Sequence, residues 1–265
     1  MSKLKRIKIG KLEISRLIAG TNQISGYSHY TREKDREMID YFTADRVFEY
    51  FDSCLYNDID TVVARADAFI TRMIEEYRKR KNSRLIWIAQ TAKEYYNLFE
   101  NIKFAYKNNC DAVYIHGGTV DTYFEKGLES ELVEVIKTVK KELPIPIGIA
   151  AHNAVNHLKL IELSTEIDFH LICMYQISGY QGRRDDSVFS EKFEKLDRQI
   201  ALDVLKKIER PCILYKIFAA GRLTASEAFS DIRKAIKDKD GVLIGMYPKD
   251  NPNVFRENSL LVNGL

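Results

Sequence analysis

The sequence has no CxxC pair, although it carries four cysteines, Cys54, Cys110, Cys173 and Cys212. Zinc-ribbon and dithiol redox motifs are therefore not expected. Cys173 and Cys212 sit inside apolar, strand-like runs, where a thiol behaves as a small core side chain. No stretch approaches the ~18 consecutive apolar residues of a transmembrane helix, so a membrane is not an expected partner. The segment from Met1 to Lys11 is basic and lacks the apolar stretch of a signal peptide. Cytoplasmic localisation is the expectation. Charge of one sign is also lacking: 41 basic residues against 38 acidic ones leave a net +3. Nucleic-acid binding usually shows as a concentrated basic stripe, which is not seen here. Runs such as Arg78-Lys79-Arg80-Lys81 read as solvated helix ends. The expected partner is a small-molecule substrate, and oligomeric state is left open.

What is present is an alternation. Eight short apolar runs occur at Arg16–Gly20, Asp60–Ala64, Leu85–Ala89, Ala112–Ile115, Ile145–Ala150, Phe169–Met174, Cys212–Ala219 and Val242–Met246. A strand buried on both faces needs such a run. Between the runs lie amphipathic stretches. Ala68–Arg80 puts Phe69, Met73, Ile74 and Tyr77 on one face, and Glu129–Glu142 does so with Leu132, Val135, Ile136 and Val139. Strand alternating with helix implies βαβ units in a parallel sheet. The length of 265 residues suits one closed (β/α)8 TIM barrel, which takes roughly 250. The expected architecture is one domain, residues 1–265. An open doubly wound sheet would usually place a glycine-rich phosphate turn after its first strand. Gly20-Thr21-Asn22-Gln23 is not GxGxxG. Two long connections, Thr21–Thr43 and Gln176–Asp197, should overhang the mouth as binding loops.

Side chains at the C-terminal ends of barrel strands line the site of such folds. These positions are Asn22 and His29 after the first strand, Arg65 after the second and Gln90 after the third. His116 follows the fourth, His152 and Asn153 the fifth, and Tyr175 and Gln176 the sixth. Lys216 lies within the expected seventh strand, and Lys249 follows the eighth. Histidine titrates near neutral pH and suits proton transfer, so His29, His116 and His152 are candidate catalytic groups. The bland alternative is that one or two of them only hydrogen-bond loop backbone. Lys216, in an apolar strand, should point into the mouth, where an amine can act as a base or form a Schiff base. Its own bland alternative is a structural ion pair with a neighbouring strand.

Arg222 and Lys249, beside a helix starting near Thr224, would suit an anionic group. Thr224 and Glu227 also read as an N-capping box, which is structural. Arg183-Arg184 could add an anion contact, or simply be solvated. No Asp or Glu falls at an expected strand end, because Asp111 and Asp168 fall at strand beginnings. Sites that hold divalent ions need several carboxylates, so no metal is assigned. A histidine-bound zinc or iron site stays open, without recognised ligand spacing.

The segment Lys8-Ile9-Gly10-Lys11-Leu12-Glu13-Ile14-Ser15-Arg16-Leu17-Ile18-Ala19-Gly20-Thr21 resembles the start of the aldo-keto reductases. Those begin with a short β-hairpin and then a strand ending in Gly-Thr. Asp111-Ala112-Val113-Tyr114-Ile115-His116 resembles their fourth strand, which ends in the catalytic histidine. Gly245-Met246 followed by Arg256-Glu257-Asn258 is also similar. The resemblance implies the barrel, an N-terminal hairpin and a role for His116.

The family's Asp, Tyr, Lys and His tetrad is otherwise not matched. Its aspartate position reads Val63, its tyrosine position Ala68-Phe69 and its lysine position Gln90. The Ser-Asn pair that holds the nicotinamide amide reads Ala150-Ala151, while Tyr175 could still stack on the ring. NADP(H) therefore stays open as a cofactor, but its usual binding residues are not evident. A looser group of aldo-keto-reductase-like barrels is similar in Gly26-Tyr27-Ser28-His29, in Gly148-Ile149-Ala150-Ala151-His152 and in Lys216-Ile217-Phe218-Ala219-Ala220-Gly221. That resemblance implies a replacement site of His29, His152 and Lys216.

The reading is an enzyme acting on a small polar carbonyl or sugar-like substrate, phosphorylated or not, by His/Lys acid–base or Schiff-base chemistry. A lyase or isomerase fits that chemistry. The rivals are an NAD(P)-linked oxidoreductase with an altered site and a catalytically inactive binding protein.

Overall fold

Residues 3–92, 97–175 and 193–265 are described by the structure, a computed structural model. The chain opens with an antiparallel hairpin, β1 (Arg6–Ile9) and β2 (Leu12–Ser15), in which Ile7 lies opposite Ile14. Gly10 makes its turn at φ +56°, a left-handed value that suits a residue without Cβ. Ile9 and Ile14 are fully buried among Ile18, Phe169, Leu171 and Ile213, so the hairpin plugs one end of the barrel.

The eight apolar runs become β3 (Leu17–Gly20), β4 (Thr61–Arg65), β5 (Ile86–Gln90), β6 (Ala112–Ile115), β7 (Ile147–Ala151), β8 (Phe169–Cys173), β9 (Cys212–Tyr215) and β10 (Gly241–Gly245). All pair in parallel, and β10 closes onto β3. Most boundaries differ from the expected ones by one or two residues. The seventh run differs more. Its ladder stops at Tyr215, so Lys216 is not within the strand. Lys216, Ala219 and Ala220 take left-handed φ values of +59°, +51° and +53°. Each such non-glycine residue costs about 1–2 kcal/mol. What draws the chain off the ladder is the buried Arg198, which donates to the carbonyls of Ile217 (3.1 Å) and Ala228 (2.6 Å).

Helices cover the barrel: α1 (Arg32–Tyr41), α2 (Ala44–Tyr56), α3 (Ala68–Lys81), α4 (Leu98–Lys107), α5 (Gly117–Glu125), α6 (Glu129–Glu142), α7 (Asn156–Leu163), α8 (Lys195–Lys207), α9 (Ala225–Ile232) and α10 (Val254–Asn263). Their starts are fixed locally. Thr43, Asp67 and Asn97 each accept a backbone N–H of the first turn, and Thr224 with Glu227 completes a capping box. On α3 the buried face is Ile70, Ile74 and Tyr77, while Phe69 is 49% exposed and leaves the expected face. None of the described helices is long and apolar enough to cross a membrane.

One regularity binds the barrel at the rim where its strands begin. Asp60, Asp111, Asp168 and Asp240 each precede an alternate strand, and each accepts an N–H at or just before the start of the preceding barrel strand. The donors are Ser15, Trp87, Ile147 and Cys212 at 2.7–3.1 Å. A cation holds each carboxylate: Arg6, Arg78, Lys140 and Lys237 respectively. Arg78 is therefore not a solvated helix end, since it also donates to the carbonyls of Leu85 and Asn109. All four cysteines are free and buried.

Candidate active site

At the opposite rim the strand ends open into a cavity of about 1380 Å3. Seven of the expected residues line it: Asn22, His29, Arg65, Gln90, His116, His152 and Lys216. Asn22 begins a 3-10 turn after β3, and its amide donates to His29 Nε2 at 3.3 Å. Arg65 ends β4 and donates from Nε to Asp67 at 3.1 Å. Gln90 ends β5, where its Oε1 accepts the Tyr114 hydroxyl at 2.5 Å.

His116 follows β6, and its ring Nδ1 accepts the Gly118 N–H at 3.2 Å. His152 follows β7, and Asp121 Oδ2 lies 3.0 Å from both its backbone N and its Nδ1. The other Asp121 oxygen accepts the Asn156 amide at 3.1 Å. The His116 and His152 ring centroids are 5.7 Å apart, edge to face.

Asp121 is a carboxylate behind His152 that the strand-end positions did not include. It stands on α5, one turn past His116, so no reading of strand ends alone would find it. Among the described residues, the carboxylate that does line the cavity is Asp250, 2.8 Å from Lys34. Tyr114 and Tyr215 were missed as well, because both face into the barrel below the rim. Burial pushes both phenols well above the usual tyrosine range, so they stay protonated and serve as donors.

The other expected residues do not line this cavity. Asn153 borders a separate small void with Cys173 and Asp197. Tyr175 is 3% exposed and packs against Phe193, with its hydroxyl 3.5 Å from Arg198. The Arg222 guanidinium lies over the rings of Phe193 and Tyr30, at 4.4 and 5.1 Å. Lys249 pairs with Glu37 at 2.9 Å, and hydrogen bonds from Lys249 and Lys34 hold the Glu37 carboxyl down at about 2. Arg222 and Lys249 thus tie mouth loops together rather than face the cavity. Gln176, Arg183 and Arg184 lie outside the described residues.

A nicotinamide held in the aldo-keto reductase manner does not fit these residues. Tyr175 has no open ring face, and Ala150 and Ala151 offer no side-chain amide or hydroxyl. Among the described residues, no three His, Cys, Asp or Glu side chains group as metal ligands.

Solved structures share this architecture. A protein of Pseudomonas aeruginosa assigned to the aldo-keto reductases superposes with TM-score 0.67 at 10% identity, over 100% of this chain and 98% of the other. An aldo-keto reductase from Bacillus halodurans in its holo form gives 0.60 at 11%, over 98% and 91%. This is an aldo-keto-reductase-like TIM barrel. A truncated 3-deoxy-D-arabino-heptulosonate 7-phosphate synthase from Thermotoga maritima also superposes, with TM-score 0.56 at 10% identity over 99% and 90%. One fold thus carries unrelated reactions, and at these identities the aldo-keto-reductase-like barrel is a statement of fold alone. No protein-family profile and no curated protein sequence matches the chain.

Proposed function

We propose that this barrel is an enzyme of acid–base carbonyl chemistry, with His116 and His152 as its proton-transferring pair. The observation that carries the reading is that two imidazoles that follow adjacent strands, with ring centroids 5.7 Å apart, border one cavity. Proton transfer by a positioned imidazole contributes typically 10²–10⁴-fold to a rate. The substrate is a small polar carbonyl or sugar-like compound, phosphorylated or not. Gln90 and Asn22 orient it, with Arg65 and His29 beside them. Lys216 polarises the carbonyl, as an ammonium or through an imine. The reaction class is isomerase or lyase, and the tetrad positions Val63 and Gln90 speak against ordinary carbonyl reduction.

The test is deuterium wash-in. The protein in D2O is offered a panel of hydroxyaldehydes, hydroxyketones, 2-oxo acids and their phosphates, and the hydrogen beside the carbonyl is followed by proton NMR. Exchange should be catalysed without added cofactor and should fall at least ~10²-fold in His152→Ala and in His116→Ala. Exchange that survives both substitutions would overturn the proposal.

A further inference from the structure

Three polar groups that border the cavity, His152, His116 and Gln90, have partners behind them that decide whether each gives or accepts a hydrogen bond. A neutral imidazole has one N–H and one lone-pair nitrogen, and an interaction at either nitrogen sets the other. At His152, Nδ1 meets a carboxylate oxygen at 3.0 Å, and a carboxylate only accepts. Nδ1 therefore carries the hydrogen, and Nε2 keeps the lone pair. At His116, Nδ1 meets a backbone N–H at 3.2 Å, and a backbone N–H only donates. Nδ1 therefore keeps the lone pair, and Nε2 carries the hydrogen. Gln90 is oriented by the same logic. Its Oε1 is occupied by the Tyr114 hydroxyl at 2.5 Å, so its NH2 end is the one left to the cavity.

We infer that Asp121 and Gly118 lock the two imidazoles in opposite tautomers, so that His152 is the base and His116 the acid of an enolisation. The inference rests on the acid–base reading above and gives it a direction. His152 Nε2 takes the proton from the carbon beside the carbonyl. The C–H bonding pair becomes the carbon–carbon double bond, and the carbonyl π pair moves onto oxygen. That oxygen is met by the N–H groups of His116 Nε2 and Gln90. Return of the proton from His152 Nε2 to the same carbon restores the carbonyl. In a hydroxyaldehyde or hydroxyketone, return to the other carbon restores a carbonyl there once His116 Nε2 has given its proton to the first oxygen and taken one from the neighbouring hydroxyl, so atoms and electrons balance without a co-reactant. The substrate must carry a hydrogen beside its carbonyl, as hydroxyaldehydes, hydroxyketones and 2-oxo acids do. Asp121 is a positioning residue. It acts on the chemistry only through the His152 ring, as the carboxylates behind metal-bound or catalytic histidines do.

Nitrogen-15 NMR of the labelled full chain near pH 8.5 reads both tautomers directly, with His116→Gln and His152→Gln supplying the assignments. The expected result is Nδ1–H at His152 and Nε2–H at His116. In Asp121→Ala the His152 ring should shift toward Nε2–H while His116 keeps its signals. Deuterium wash-in should fall at least ~10²-fold in kcat with KM little changed. The milder Asp121→Asn should fold even if Ala does not, and should loosen the His152 preference in the same direction. Matching tautomers in the unmodified protein, or a His152 ring indifferent to both substitutions, would overturn the inference. The NMR arm needs no substrate, so a failed search for turnover would count against the proposed function and leave this result standing on its own.

Discussion

Acidification from about pH 7 to about pH 5 should remove at least about 2 kcal/mol of folding stability, through two histidines remote from the mouth. His157 on α7 and His170 on β8 are buried together between helix and strand, with their Nδ1 atoms 3.0 Å apart. A bond between two imidazole nitrogens needs one donor and one acceptor, which two neutral rings supply. Burial pushes His157 down from the ordinary 6.5 to about 4, against the pull of Asp121. Burial also pushes His170 well below its ordinary value, helped by His157, Arg210 and Lys237.

The unfolded chain protonates both rings near pH 6.5, whereas in the native chain His157 resists until near pH 4 and burial holds His170 well below its ordinary value. Between those limits the unfolded state binds more protons, so stability falls as pH falls. At pH 5 His157 contributes about 2 kcal/mol of this loss, and His170 adds to it in the same direction. Two rings together lose a large part of the ~5–15 kcal/mol of a typical domain. Urea unfolding at a series of pH values measures the slope, which should reach about 2.7 kcal/mol per pH unit for two protons. His170→Gln should halve it. A flat profile from pH 7 to 5, or an unchanged slope in that variant, would refute the reasoning.

Two further outcomes follow from packing and capping. Gly148→Ala would set a Cβ 2.5 Å from the Phe169 ring inside the barrel, so it should lower stability by ~1–3 kcal/mol in denaturant titration. Thr224→Ala removes the capping box of α9 and should cost about 1 kcal/mol, with deuterium wash-in retained because Thr224 does not line the cavity.

The barrel was legible because burial on both faces leaves a direct mark on sequence. Ala112–Ile115 and Glu129–Glu142 appear with the expected bounds. The break at Tyr215 left no such mark, because Ile217, Phe218 and Ala219 remain apolar after the ladder ends. It depends on Arg198, a charged residue of α8 far away in sequence, reaching the Ile217 carbonyl. Seven mouth residues were found from strand ends, since a residue just past a strand must emerge at the rim. Asp121 was not, because a helix brings it there. Tyr175, Arg222 and Lys249 follow strands in the chain, but their side chains satisfy other partners. Sequence position fixes where a side chain starts and not where its polar end finds a hydrogen bond.

The carboxylates of Asp60, Asp111, Asp168 and Asp240 act as four clasps, each joining two staves, so the cylinder is hooped at its base. None of these clasps is shared with the groups around His116 and His152. Substitutions at the mouth can then swap one set of reactive side chains for another without loosening the hoops. That division of labour lets one barrel architecture carry different sets of reactive groups at its mouth.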